Sequence, residues 1–297
     1  MYKPSVYHEG ELRLQQHSGV EAIADKLSKT MIMDYLDKQH EQFYVSLNML
    51  FIASIDEYDR PWASVIAGSQ GFISVPDAQH LSIDAQIIAG DILKENILHN
   101  NQIGLLGLEH HSRRRNRMAG VLVEKNNRQL LIKVKQAFGN CAKYIQARRA
   151  SVSEDTQHAQ NNPVKEYSKI NDACRALISR ADTFFIASYY PQSQHKGADI
   201  SHRGGAPGFV KIEGNDTLVV NDYAGNNLYM TLGNLHSHPC AGLLFIDYDN
   251  GDLWQFQCKV EIIETPGGEY SRKMKLKIVE IKKLENALNL KWQLLES

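Results

Sequence analysis

Short apolar runs broken by polar turns dominate the chain, and a few stretches of helical spacing stand apart from them. In "DKQHEQFYVSLN" the apolar positions recur at helical spacing and predict an amphipathic helix. The apolar "LFIAS", Leu50–Ser54, predicts a buried strand, "IDEYDRP" a turn and "WASVIAG" a second strand. A Gly-rich bend leads to "FISV" and "HLSID", then to a helix-like stretch, the buried strand "IGLLGLE" and the closing strand "MAGVLVEK". "RQLLIKVK" reads as a strand that reaches a turn at Gly139-Asn140. Beyond it, "CAKYIQARR" predicts a helix start carrying Lys143, Tyr144, Gln146, Arg148 and Arg149. Such a turn aims backbone amides and cations at one place, which is how proteins hold anions.

The pattern then repeats. "LFIAS" returns as "FFIAS", "GSQGF" as "GAPGF", "LSID" as "LVVN", and "NILHNNQIGLL" as "NLHSHPCAGLL". The offsets are 134 from Ala53 to Ala187, 137 from Gly68 to Gly205, 137 from Leu81 to Leu218 and 138 from Gly104 to Gly242. Four matches in order at a nearly constant offset indicate a duplicated domain. The second copy opens with the amphipathic "SKINDACRALISRA" and closes with "AGLLFIDY" and "DLWQFQCKVEII". The first copy adds a helical arm, "GVEAIADKLSKTMIMDYLDK", and the second is expected to end in a helix, "KKLENALNLKWQLLE". Between them "SVSEDTQHAQNNP" is polar, aperiodic and ends in Pro, so it reads as a linker. The expected organisation is residues 1–150 as arm plus first barrel, 151–163 as linker, and 164–297 as second barrel. The fold class is mainly β with flanking helices (α+β), as two tandem antiparallel barrels whose Gly bends let strands curve.

Composition narrows the function classes. The 297 residues carry a net charge of −1, so nothing pulls the whole molecule toward nucleic acid or a membrane, and any anion site must be local. No stretch approaches the ~18 apolar residues of a membrane span, and "MYKPSVYHEGELRLQQ" lacks the apolar core of a secretory signal. The four cysteines are scattered, with no CxxC pair, and read as reduced thiols of a cytoplasmic protein. No nucleophile elbow, zinc-protease helix motif, dinucleotide fingerprint or P-loop is present. "EHH", Glu109–His111, and "HSH", His236–His238, lack a visible third ligand, so no metal is expected.

The motifs "GADISHRGGAPGFVKI", "TLVVNDYAGNNLYMTLGNL" and "AGLLFIDYDNGDLWQ" resemble the pyridoxamine 5'-phosphate oxidase-like, FMN-binding split barrels. "RPWASV", "GLLGLEHHSRRRNRM" and "FGNCAKYIQ" look like the companion N-terminal barrel of tandem members. The resemblance covers roughly residues 8–265. It implies paired six-stranded split barrels with FMN in the groove between them, the phosphate held by basic and polar side chains. The pair could form within this chain, as a homodimer, or both.

Individual residues follow. Ser201 and Arg203 sit in "DISHRGG", where the Arg fork suits a phosphate and the glycines allow close backbone approach. In the first copy Ser64 matches Ser201, but Ile66 falls where Arg203 does, so the copies cannot bind one anion alike. Asn221, Asp222 and Asn226 end a strand and open a turn. The resemblance puts such side chains at the phosphate or ring edge, while an Asx turn capping a helix is the competing reading. Arg115 and Arg117 share one face of an extended "RRRNR" and, with Asn140 and Lys143, could form one basic end. Trp62 and Gln255 could pack on a flavin and bond its polar edge, although core packing is the commoner fate of a Trp.

These readings predict an FMN protein, with FAD or a deazaflavin as the less favoured cofactors. It would be an oxidoreductase acting on a small molecule, with a separate electron donor. The rivals are a non-catalytic split barrel binding a small anion or a protein, and a haem-handling barrel with His195, His202 or His236 as axial ligand.

Overall fold

The computed structural model describes residues 5–126, 128–152, 163–192, 195–265 and 270–295. Three helices lead in: α1 (Glu9–His17), α2 (Glu21–Met31) and α3 (Lys38–Val45). Helix α3 starts where Asp37 accepts from His40 N, and α1 where His8 and Glu11 form a reciprocal capping box. The first sheet holds β1 (Met49–Ile55), β2 (Pro61–Ala67), β3 (Ile73–Asp77) and β4 (His80–Asp84). After α4 (Leu93–His99) come β5 (Gln102–Glu109), β6 (Arg114–Lys125) and β7 (Gln129–Asn140). A crossing strand β8 (Arg148–Val152) follows, and after the expected linker, of which 153–162 lie outside the described residues, β9 (Lys165–Tyr167) and α5 (Asp172–Arg180). The second sheet is β10 (Thr183–Tyr190), β11 (Gly197–Gly204), β12 (Val210–Glu213), β13 (Thr217–Asn221), α6 (Met230–Ser237), β14 (Cys240–Ile246), β15 (Leu253–Glu264) and β16 (Arg272–Leu284), and β17 (Leu290–Leu294) ends it.

The strand orders are β2-β1-β5-β6-β7-β4-β3 and β11-β10-β14-β15-β16-β13-β12, the same path twice. All pairings are antiparallel, and among the described residues neither path closes on itself. The chain is therefore two tandem split β-barrels with flanking helices. Each path has seven strands where six were expected. The duplication extends to side chains: Asn96 on α4 donates to Ser54 on β1 at 2.9 Å, and Asn234 on α6 donates to Ser188 on β10 at 2.9 Å.

The barrels pack on each other by exchange. Strand β11 lies on β5 and β6, and β2 on β14 and β15. The repeated glycines explain how they approach. A Cβ on Gly104 would meet Ala198 O at 2.8 Å, and one on Gly242 would meet Pro61 O at 2.4 Å. Each glycine lets the opposite barrel's backbone pass directly over its strand. The shared core joins Phe51 and Phe185, stacked at 3.6 Å between centroids, with apolar residues of both barrels.

Two helix expectations are corrected. Beyond Asn140 the chain does not form a helix. Tyr144 takes φ +65°, its carbonyl packs on Gly204 of the other barrel, and the chain becomes β8. The C-terminal stretch is also not helical: residues to Leu284 belong to β16, Asn286 turns at φ +49°, and β17 follows. Leu284 and Leu288 are both buried, a spacing of four that imitates a helix, yet Leu284 ends β16 and Leu288 lies on the arm beyond it, both in the core shared by the barrels. The two crossing arms meet where β8 pairs with β17. Among the described residues no helix is long and apolar enough to cross a membrane.

Candidate functional site

A groove lies where β6 and β7 of the first barrel face β11 and β13 of the second, and it is built from cross-strand neighbours. Arg115 pairs directly with Asn140 across β6 and β7, and Arg117 stands two residues along on the same face. On β11, Asp199, Ser201 and Arg203 share one face at the two-residue spacing of a strand. These two faces meet. Arg117 donates to Asp199, Thr231 of α6 donates to Asp199 at 3.0 Å, and Thr231 and Ser201 hydroxyls lie 3.2 Å apart.

Arg115, Arg117, Asn140, Lys143, Ser201, Arg203, Asn221 and Asn226 all border one cavity in this groove. An adjoining cavity of about 610 Å³ is bordered by Arg117, Ser201, Arg203, Asp222 and Asn226 together with Tyr223, Tyr229 and Tyr270. That volume falls within the ~300–1,000 Å³ of small-molecule sites. The structure thus brings together nine of the twelve residues singled out in the sequence, from both copies.

The crossing arm after β7 forms one wall. Arg115 Nε donates to Cys141 O at 2.7 Å, and Tyr144 OH donates to Ala224 O at 3.3 Å. Tyr144 and Tyr223 rings lie 5.3 Å apart. Asn226 is committed to structure on both sides: its Nδ2 donates to Asn140 at 2.9 Å and its Oδ1 accepts from Leu228 N at 3.2 Å, an Asx turn. The segment that ends in Asn140 therefore borders the groove, as an extended wall rather than a helix start.

Electrostatics sets the sign of the groove. Arg117 is matched by Asp199, which leaves Arg115, Arg203 and Lys143 against Asp222. Burial lowers the Arg203 guanidinium below its ordinary value and Arg117 pushes the same way, while Asp222 and Asp199 oppose. Burial, with repulsion from Arg117 and Arg203, brings Arg115 down to about 10. Burial raises Asp222, opposed by Arg203 and Arg272. His202, 3.2 Å from Arg115 through Nδ1, is held well below the usual imidazole value by burial and then by Arg115, so it is neutral. Among the described residues the buried Arg203 Nε has no hydrogen-bond partner. A buried donor left unmet is costly until an acceptor arrives.

Trp62, Ser64 and Gln255 are placed elsewhere, which corrects their expected contact with a cofactor. Trp62 is 1% exposed and donates to Asp56 at 3.0 Å. Gln255, fully buried, donates to Ser64 at 2.9 Å and to Ala63 O at 2.9 Å, and Ser64 donates to Asp91 at 2.6 Å. The strand registers make Gln255 the counterpart of Arg117 and Trp62 that of Asp199. Internal symmetry, rather than the groove, explains why these three looked significant. The sequence reading missed Asp199 and Thr231, although the alternation of Asp199, Ser201 and Arg203 along a buried edge strand was a usable signal. Of the three candidate axial histidines only His202 borders the groove; His195 borders a different cavity and His236 is exposed on α6.

No family model matches this chain, and no curated protein matches it. Among solved structures it is similar to a protein of Lactobacillus delbrueckii described as a candidate pyridoxamine 5'-phosphate oxidase, at 14% identity over 36% of this chain and 95% of that chain, TM-score 0.29. HupZ of Group A Streptococcus is 13% identical over 35% and 94%, TM-score 0.29. HutZ, the haem storage protein of Vibrio cholerae, is 13% identical over 35% and 94%, TM-score 0.25. At these scores the fold assignment stands on the strand order itself.

Proposed function

We propose that this chain is a tandem member of the pyridoxamine 5'-phosphate oxidase-like split barrels. In this reading it binds FMN in the groove between its barrels and serves as a flavin-dependent oxidoreductase. The observation that carries the reading is Arg203: a half-buried guanidinium whose buried Nε donor is unmet, bordering with Arg115 and Lys143 a cavity that Tyr144 and Tyr223 also line. A phosphate monoester answers that demand, because its oxygens accept several charge-assisted bonds at once.

Bound FMN would supply the redox chemistry through its ring system. The chain's own part is to hold and orient. Arg203, Arg115 and Lys143 take the phosphate, with Ser201 and Asn140 as neutral donors beside them. Tyr144 and Tyr223 offer flat faces to a ring, and the Arg117–Asp199 pair fixes the two barrels at the spacing the groove needs. A small-molecule substrate and a separate electron donor complete the proposal.

The test is a titration of FMN followed by quenching of its fluorescence, on the native chain and on Arg203→Ala. Losing a charge-assisted phosphate contact should weaken binding about 10- to 100-fold. Equal binding by the two proteins would remove the phosphate role from Arg203.

A further inference from the structure

A second site lies where the crossing arms meet, on the other side of the shared core from the groove. The structure assigns to this place a binding pocket for a planar, uncharged aromatic compound bearing carbonyl oxygens, of the quinone type. A cavity of about 990 Å³ opens there, bordered by His110, Arg148, Asn289, Trp292, Leu108 and Leu290. Five parts of the chain supply it: residues 46–48 after α3, residues 67–70 at the end of β2, the end of β5 with the turn after it, the start of β8, and β17 with the residue before it. Between this cavity and the groove stand ring contacts running Trp292–His110 at 5.0 Å, His110–Phe51 at 6.3 Å, Phe51–Phe185 at 3.6 Å and Phe185–His202 at 5.7 Å.

Unmet hydrogen-bonding capacity marks the pocket. Among the described residues, His110 Nε2, Arg148 Nη1, Asn289 Oδ1 and Trp292 Nε1 are buried without a partner, and so is Tyr248 OH beside them. Unpaired buried polar atoms are few in native proteins, and each costs roughly 1–3 kcal/mol. Their concentration in one place is the sign of a missing occupant. Most are donors, so the occupant presents acceptors.

The rings define its shape. Trp292 meets His110 edge-on at 5.0 Å and Tyr248 edge-on at 5.1 Å, and the Arg148 guanidinium lies 4.2 Å over the Tyr248 ring. Leu108 and Leu290 add apolar surface. A flat aromatic body suits this frame. Charge argues against an anion. Arg148 is already matched by Asp182 at 2.6 Å, Glu109 stands on the same wall as Arg149, and burial keeps His110 neutral, pushing it down to about 3. A carbonyl accepts the Trp292 and Arg148 donors without bringing a charge into the pocket.

The probe is 2,3-dimethyl-1,4-naphthoquinone, whose blocked ring positions do not add thiols, with 1-naphthoate as the anionic counterpart. Binding is measured by equilibrium dialysis on the full chain, with a melting curve for every variant. The quinone should bind saturably and more tightly than the naphthoate. Trp292→Phe, which keeps a ring but loses the N–H, and His110→Phe should each weaken it about fivefold or more, the value of one hydrogen bond. The proposal is overturned by absence of saturable quinone binding, by naphthoate binding as tightly, or by both folded variants binding the quinone like the native chain. The flavin reading is untouched by any of these outcomes, because the groove residues are left intact.

Discussion

Arg117 on β6 of the first barrel donates to the carboxylate of Asp199 on β11 of the second, a cross-barrel ion pair at the edge of the groove. At the symmetry-related place the same positions are Gln255 and Trp62, neither of them charged, which donate to Asp91 at 3.2 Å and to Asp56 at 3.0 Å instead of meeting as an ion pair. One junction of a duplicated fold thus carries an ion pair between the barrels beside a cavity, while at its counterpart an indole and an amide are fully buried. A buried pair of this kind is costly to break from one side, because the partner is left charged and unpaired. Arg117→Met should lower unfolding stability by about 3 kcal/mol, and Arg117→Met combined with Asp199→Leu should recover much of that loss. A urea-denaturation double-mutant cycle measures it. Additive losses would mean that the pair is not coupled.

The same asymmetry fixes stoichiometry. Where the groove has Arg203 and Arg115, the other junction has Ile66 and Leu253 by strand register, both buried. One flavin per chain is the expected endpoint of a calorimetric titration. Two would show that the second junction opens.

The interbarrel glycines give a prediction independent of any ligand. Gly242→Ala would place a Cβ within 2.5 Å of the Trp62 Cα, against backbone that has nowhere to move. A loss of roughly 1–3 kcal/mol is expected from such overpacking. Gly19, with nothing near its Cβ position but a φ of +64°, is the control: Gly19→Ala strains only the local backbone and should leave FMN binding unchanged. Thermal melting with an FMN titration separates the two effects.

Glu11 supplies a pH dependence with a definite sign. Burial raises its carboxyl from 4.5 to about 8, with Asp199 adding to the rise and the His8 N–H and Arg117 opposing it. Between those values the folded state holds a proton that the unfolded chain releases, so this contribution falls as pH rises toward about 8. His8, lowered to about 4 by burial, works in the opposite sense but is exhausted above its ordinary 6.5. From about pH 6.5 to 8 the native chain should therefore lose stability relative to Glu11→Gln, which keeps an acceptor for His8 N. Parallel stability profiles from urea melts across that range would contradict it.

The duplication, the strand list and most of the groove were legible in the sequence because they rest on local periodicity and on matched segments. Arg115, Arg117, Ser201 and Arg203 lie on strands whose two-residue alternation fixes which side chains share a face. What was not legible depended on crossing between barrels. The segment after Asn140 and the segment after Leu284 have helical-looking spacing, but their apolar residues, Ile145 and Leu288, are buried in the core shared by the two barrels. Tertiary contact overrides local preference there. Trp62 and Gln255 were misplaced for a related reason: a single copy's pattern does not say which of two equivalent junctions is filled.

The visible absorption spectrum of the protein as purified, with the released chromophore identified by mass, tests the central proposal most directly. A flavin spectrum with FMN as the released compound is the expected result, joined by loss of that colour in Arg203→Ala. A colourless protein that also fails to take up added FMN would contradict the groove's role as a flavin site.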